Sequence, residues 1–260
     1  MKTYTKETLV NELQKIRSMG WIPNARPGND GGIGNTLEDL LGIEENNLPI
    51  PNANEWELKC QRENTTSLVT LFHMEPSPRA FKFVPNILLP NFGWHHKEAG
   101  KKYGSKEMSF RQTISGVSWS DRGFMAIVDR VNRKVLISFD SSKIDDKHAH
   151  WRDMVNVKTG LTELNPQPYW GFDDLEHKAG TKLLNCFFVQ AESKREKGQT
   201  FFRYSNISIL QKFKLEGLLK GIEQGFVYID FDARTGHNHG TKFRLRRNKF
   251  SELYDTVIEI

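Results

Sequence analysis

Short runs rich in aromatic and β-branched residues recur along this chain, with helical patterns between some of them, and that mixture limits the fold it can adopt. The clearest is Phe226-Val227-Tyr228-Ile229-Asp230-Phe231, which reads as a strand. Further strands are predicted over 55–60, 67–72, 123–131, 134–140, 186–192, 201–204 and 241–246, with Asn132-Arg133 turning one pair into a hairpin. Helical spacing marks 6–19, where Leu9, Val10, Leu13, Ile16 and Met19 recur before Gly20, and part of 209–223. Thr36 is the expected N-cap of a short helix over 37–41 that Gly42 ends. Residues 46–54, with two prolines and four asparagines, predict an irregular connection, and 85–106 a loop. No repeat or low-complexity linker interrupts the pattern, so one α/β or α+β domain is expected.

The 260 residues suffice for one large domain or two small lobes with a real core. With 37% hydrophobic and 27% charged residues, the chain has the composition of a soluble globular protein. No apolar run approaches the ~20 residues that cross a bilayer, so no membrane partner is expected. The start, Met1-Lys2-Thr3-Tyr4-Thr5-Lys6-Glu7, lacks the apolar core of a signal peptide. Cys60 and Cys186 are the only cysteines, which implies no disulfide framework and fits a reducing cytoplasm. The net charge of +5 is modest, but its distribution is uneven. Lys97, Lys101, Lys102, Lys106 and Arg111 form one basic segment; Lys242, Arg244, Arg246, Arg247 and Lys249 form another. Either could be a solvated surface, yet two such segments flanking a candidate metal site point towards nucleic acid.

That candidate is Glu57-Leu58-Lys59. Residues two apart on a strand share a face, so Glu57 and Lys59 stand together, Glu55 can join them, and Trp56 and Leu58 face the other way. A carboxylate for a divalent cation beside a lysine for a water or phosphate is the minimum for metal-dependent phosphodiester hydrolysis. Charged pairs at this spacing also occur on plain solvated strands. The glycine-rich stretch 26–34 lacks the Lys-Ser/Thr ending of a phosphate-binding P-loop and is better read as a turn before a helix, touching a DNA backbone. His237-Asn238-His239 has no third ligand at a zinc spacing. With Asp230, Asp232 and Arg234 these histidines are better suited to reading base edges. His95, His96, His148 and His150 lie in polar stretches and read as exposed surface histidines, and both cysteines as packing residues.

Gly34-x-Thr36-Leu37-Glu38-Asp39-Leu40-Leu41, Glu45-Asn46-Asn47-Leu48, Glu57-Leu58-Lys59 and Ser67-Leu68-Val69-Thr70-Leu71-Phe72 resemble, in that order, the catalytic half of the MvaI/BcnI-type restriction endonucleases. Those enzymes are relatives of the mismatch-repair nicking endonuclease within the PD-(D/E)xK superfamily. Ala191-Glu192-Ser193-Lys194 and Gly221-Ile222-Glu223-x-Gly225, running on to His237-x-His239-Gly240-Thr241-x-Phe243-Arg244, extend the similarity from about Trp21 to Leu245. The resemblance implies an α/β, α+β mixed-sheet core of the PD-(D/E)xK type. It implies a catalytic lobe centred on 20–90 and a DNA-recognition lobe contributed by about 91–115 and 221–250. It further implies a type II enzyme that cuts double-stranded DNA with Mg²⁺, or Mn²⁺ in its place. Such an enzyme is a monomer nicking the strands in turn, in a bacterial or archaeal cytoplasm, with a cognate DNA methyltransferase in the same system. By position, Glu57 is the metal-binding acid, Lys59 the water-orienting lysine and Glu38 the supporting helix acid. Asp230, Asp232, Arg234, His237, His239, Lys242 and Arg244 fall in the major-groove recognition segment.

One position departs from the family. Its first metal-binding aspartate follows a proline five residues before the strand acid; here Pro51 is followed by Asn52. An amide oxygen is a poorer Mg²⁺ ligand than a carboxylate. Three explanations stay open: an Asp→Asn variant made to trap a complex, a natural variant in which Glu55 or Glu38 supplies the charge, or a DNA-binding protein that does not cut.

Overall fold

The computed structural model describes residues 4–28, 32–43 and 55–260. Asn52, the rest of the 46–54 connection and the middle of the glycine-rich stretch lie outside them. The chain divides into two compact units.

The first unit comprises the described residues of Met1–Val69, Glu176–Gly217 and Arg246–Ile260. Its helix Lys6–Ser18 begins at Thr5, whose side chain accepts from the Thr8 amide while Thr8 answers to the Thr5 amide. Leu9, Leu13 and Ile16, one helical face, are buried. They pack with Ile33, Leu37 and Leu41 of helix Gly32–Leu41, with Trp56 and Leu58, and with Phe187, Val189, Phe202 and Tyr204. The sheet runs in the order Ile22–Pro23, Gln199–Phe213, Asn185–Glu196, Glu57–Arg62, and Tyr254–Glu259 also pairs with Gln199–Phe213. Glu57–Arg62 and Asn185–Glu196 are parallel, with Glu57 opposite Cys186 and Lys59 opposite Phe188. The two cysteines thus sit on paired strands, Cys186 buried and Cys60 half-buried, neither in a disulfide. Burial pushes both thiols well above their usual range.

The second unit comprises Thr70–Leu175 and Leu218–Leu245. One sheet orders its strands Val69–His73, Lys242–Leu245, Val227–Arg234, Met108–Ile114 and Trp94–His95, with His237–Asn238 paired to Val227–Arg234. A second sheet joins Arg122–Asp129, Lys134–Ile144 and Tyr169–Gly171. The core is aromatic: Phe110 meets Phe124 and Phe231 edge-on at 5.6 and 5.7 Å, and Trp170 meets Phe243 at 5.3 Å. The Trp170 indole N–H donates to the Met74 carbonyl, so its one polar atom is satisfied inside the core.

The mixed α/β class holds, and the expected hairpin is the antiparallel pair Arg122–Asp129 and Lys134–Ile144. Several details differ. Thr36 is not an N-cap: the helix starts at Gly32, and Thr36 lies inside it, buried, its hydroxyl donating to the Gly32 carbonyl four residues back. A threonine hydroxyl serves either role, and the apolar Ile33 draws the earlier turn into the core. Residues 85–106 are not all loop: a π-helical turn, Val84–Leu88, runs into helix Leu89–Phe92. Pro85 stands in the first turn of this run, where a missing N–H costs little. The 209–223 pattern splits, because Ile209 to Phe213 end a long strand and the helix is Leu215–Glu223. Helix Ala149–Thr159 was not anticipated; it closes at Gly160, which takes the left-handed conformation at φ 65°.

Candidate active site and nucleic-acid interface

Alternation along Glu57–Arg62 places Glu57 and Lys59 on one face while Leu58 enters the core. Glu57 is 1% exposed, and the Lys59 ammonium lies 2.6 Å from its Oε1. A second lysine converges on the same oxygen. Lys182, from helix Phe172–Leu183, stands 3.6 Å from Glu57 Oε1. Burial, reinforced by Lys59 and Lys178, holds the Lys182 ammonium below the usual lysine range against the pull of Glu57. The other carboxylate oxygen, Glu57 Oε2, is buried and has no hydrogen-bond partner among the described residues. A buried anionic oxygen left open costs stability that a structural ion pair would not waste.

Gln61, two residues further along the same face, donates to the Ser67 carbonyl at 2.6 Å. Glu38 lies on helix Gly32–Leu41, and its negative charge is felt at Cys60, which alternates to the face of the strand opposite Glu57 and Lys59. Glu55 does not join the pair: it is exposed in the turn before the strand, which begins at Glu57. Among the described residues, no three His, Cys, Asp or Glu side chains converge as a metal cluster.

The second unit presents a contrasting surface. Along Val227–Arg234, Val227, Ile229, Phe231 and Ala233 are at most 1% exposed, so Tyr228, Asp230, Asp232 and Arg234 take the opposite face. Arg111 and Thr113 join them from Met108–Ile114, and Lys242 and Arg244 from Lys242–Leu245. Asp230 accepts from Thr113 Oγ1 at 2.8 Å and Arg244 Nη1 at 3.1 Å. Asp232 accepts from Arg111 Nε at 2.6 Å and Lys242 Nζ at 3.1 Å. Burial would raise the Asp232 carboxyl, but these two donors outweigh it and hold the group below the usual carboxylate range. Arg234 is gripped by Glu107 at 3.1 Å and lies over the Tyr103 ring, 4.6 Å from its centroid.

His237 and His239 are exposed beside this face, their rings edge-to-face at 4.2 Å. Burial, with His237 and nearby cations, lowers the His239 imidazole. The loop is anchored by Glu75, which accepts from the Thr241 amide at 2.8 Å, and by the His239 amide, which donates to the Asp232 carbonyl at 2.9 Å.

Lys182, Arg111, Thr113, Glu107 and Tyr103 were not singled out from the sequence as site residues. Arg111 had a signal, since Met108–Ile114 alternates like a strand and puts it beside Thr113. Lys182 had none, because only the parallel pairing of Glu57–Arg62 with Asn185–Glu196 brings its helix end to Glu57. The expectation of exposed surface histidines fails twice. His96 is buried, its Nδ1 accepting from the Glu98 amide, and His148 is half-buried with Nε2 2.7 Å from Asp121.

The mixed α/β fold is that of a restriction endonuclease. The chain belongs to the MvaI/BcnI restriction endonuclease family, whose model matches residues 10–254. It is similar to the solved structure of restriction endonuclease MvaI in complex with its cognate DNA substrate, at 25% identity and TM-score 0.78, over 99% of each chain. The structure of MvaI in the absence of DNA matches at 25% identity and TM-score 0.56 over 100% of each. No curated protein matches the chain. Among the described residues, no helix is long and apolar enough to cross a membrane.

Proposed function

We propose that this chain is a type II restriction endonuclease that hydrolyses double-stranded DNA at a short specific sequence. The first unit would cut, and the charged sheet face of the second would read. One observation carries the catalytic half: Glu57 is buried, held on one oxygen by Lys59, and open on the other. That open oxygen suits a divalent cation, Mg²⁺ or Mn²⁺, which Glu57 would hold together with position 52 as the family resemblance implies. When bound, such an ion polarises the scissile phosphate and lowers the pKa of a bound water. Lys59, fixed by its contact with Glu57, orients that water or meets the charge that develops on the phosphate. Glu38 supports the site from its helix.

On the second unit, Arg234 and Arg244 suit paired donation to guanine and Asp230 and Asp232 suit acceptance from the cytosine amino group; His237 and His239 add donors at the loop. Lys242 and the remaining basic residues neutralise phosphates and set the duplex in register. The family resemblance implies a monomer, and a monomer with one active site must nick the strands one after the other. A methyltransferase of the same specificity is the expected partner, protecting the host's own sites.

Asn52 favours a second reading, a sequence-specific DNA-binding protein that does not cut. Plasmid cleavage in Mg²⁺ and in Mn²⁺, comparing the chain with Asn52→Asp, decides between them. Cutting by the chain itself shows that another acid has taken over, and cutting restored only by aspartate shows an inactivated site. No cutting by either protein would sink the nuclease reading.

A further inference from the structure

The surroundings of Glu57 hold more positive charge than its carboxylate balances. Lys59 and Lys182 both face Oε1, at 2.6 and 3.6 Å, and each side chain is only 17% exposed. Neither has another carboxylate within ion-pair distance among the described residues. Lys178, one turn before Lys182 on the same helix face, is half-buried and brings a third ammonium group into range. One carboxylate against two close ammonium groups leaves about one unit of surplus positive charge in a place largely withdrawn from water. Such a surplus is costly unless an anion shares it. Lys182 also occupies the last turn of its helix, where a cation favours the backbone dipole. A lysine reaching outward would serve the dipole equally, so that role does not explain its burial against Glu57.

We propose that Lys182 and Lys59 together form an anion seat at Glu57 that takes a non-bridging oxygen of the scissile phosphate. The proposal rests on the nuclease reading above and adds a second phosphate-binding lysine to it. The seat works without a divalent cation: the two ammonium groups engage the phosphate on arrival and release part of their hold on Glu57, whose carboxylate becomes available to a metal. Lys182 is then a group that touches substrate, where Lys59 alone would be expected.

Inorganic phosphate is the probe. In EDTA, at ionic strength held constant with chloride, it should raise the Tm of the chain, because a ligand of the folded state stabilises it by mass action. K182M keeps the apolar stem and should lose that rise, K182R should keep most of it, and K143Q, a charge control on an exposed lysine elsewhere, should keep all of it. Mn²⁺ binding followed by electron paramagnetic resonance, without DNA, gives the second readout. Removing a positive charge beside Glu57 should tighten Mn²⁺ binding to K182M by about threefold or more. A phosphate shift that survives in K182M, or that the parent chain lacks, would overturn the proposal. So would Mn²⁺ binding that is unchanged, as for a helix-end lysine, or weakened, as for a residue that only positions Glu57. Should K182M not fold, K182Q is read in the same way. Plasmid cleavage by the chain and by Asn52→Asp is scored separately. Failure to cut with the phosphate effect intact removes the nuclease and leaves the seat; cutting without the phosphate effect does the reverse.

Discussion

Glu57 and Asp232 are each faced by two cations, yet they use their oxygens differently. Asp232 gives one oxygen to Arg111 and the other to Lys242, both at hydrogen-bond distance. Glu57 offers the same oxygen to Lys59 and Lys182 and leaves Oε2 buried without a partner. A carboxylate with one donor on each oxygen is fixed in place and fixes its neighbours, and it keeps its remaining lone pairs for a further donor. One that keeps a buried oxygen open retains binding capacity at a cost in stability. On the proposed function, the second unit carries a preset reading face and the first a carboxylate with binding capacity left open.

The comparison can be broken most sharply at Glu57. Glu57→Gln keeps the shape and removes the charge, and plasmid cutting, measured in the chain or in Asn52→Asp if only that cuts, should fall by about a thousandfold. Retained cutting would mean that the open oxygen is not the cation's seat. The next effect lies at Asp232. Asp232→Asn frees Arg111 and Lys242, and cutting at sites with one altered base pair should rise against the best site by about tenfold or more. Run-off sequencing of cleaved plasmid reads this ratio, and an unchanged spectrum would make Asp232 a purely structural partner.

A smaller change is expected at Thr113, which supplies one of the bonds to Asp230. Thr113→Val should cost about 1 kcal/mol, or ~2–4 °C in Tm for a chain of this size. The least of these effects concerns pH. The Asp232 carboxyl is lower in the folded chain than in the unfolded one, so its stabilising contribution is complete above the unfolded value of about 4 and is lost as pH falls through the folded value. The Tm difference between the chain and Asp232→Asn should hold at neutral pH and shrink below about pH 4.

Both regions were partly legible in the sequence, for the same reason. A two-residue period fixes which side chains share a face, so Glu57 with Lys59, and Asp230 with Asp232, follow from strand alternation alone. What crosses between distant segments was not legible. Lys182 meets Glu57 through a parallel strand pairing across more than a hundred residues, and no local pattern encodes that register. Arg111 was visible as charge, but its pairing with Asp232 needs the strand alignment to be known.

Helix Ala149–Thr159 was missed although Trp151 and Val155 are one turn apart and Gly160 stops it, because valines and polar residues blur the rest of its apolar stripe. His148 and His96 misled in the other direction. Their polar neighbours suggest exposure, but Asp121 and the Glu98 amide satisfy the imidazoles inside the fold.

The parallel pairing of Glu57–Arg62 with Asn185–Glu196 has one more consequence, through the cysteine carried by each strand. Alkylating reagents attack the thiolate, and burial keeps both thiols protonated in the folded chain. Cys186, wholly buried, is therefore a built-in stopwatch: the rate at which it takes up a label times how often the strand pair beneath Glu57 comes apart.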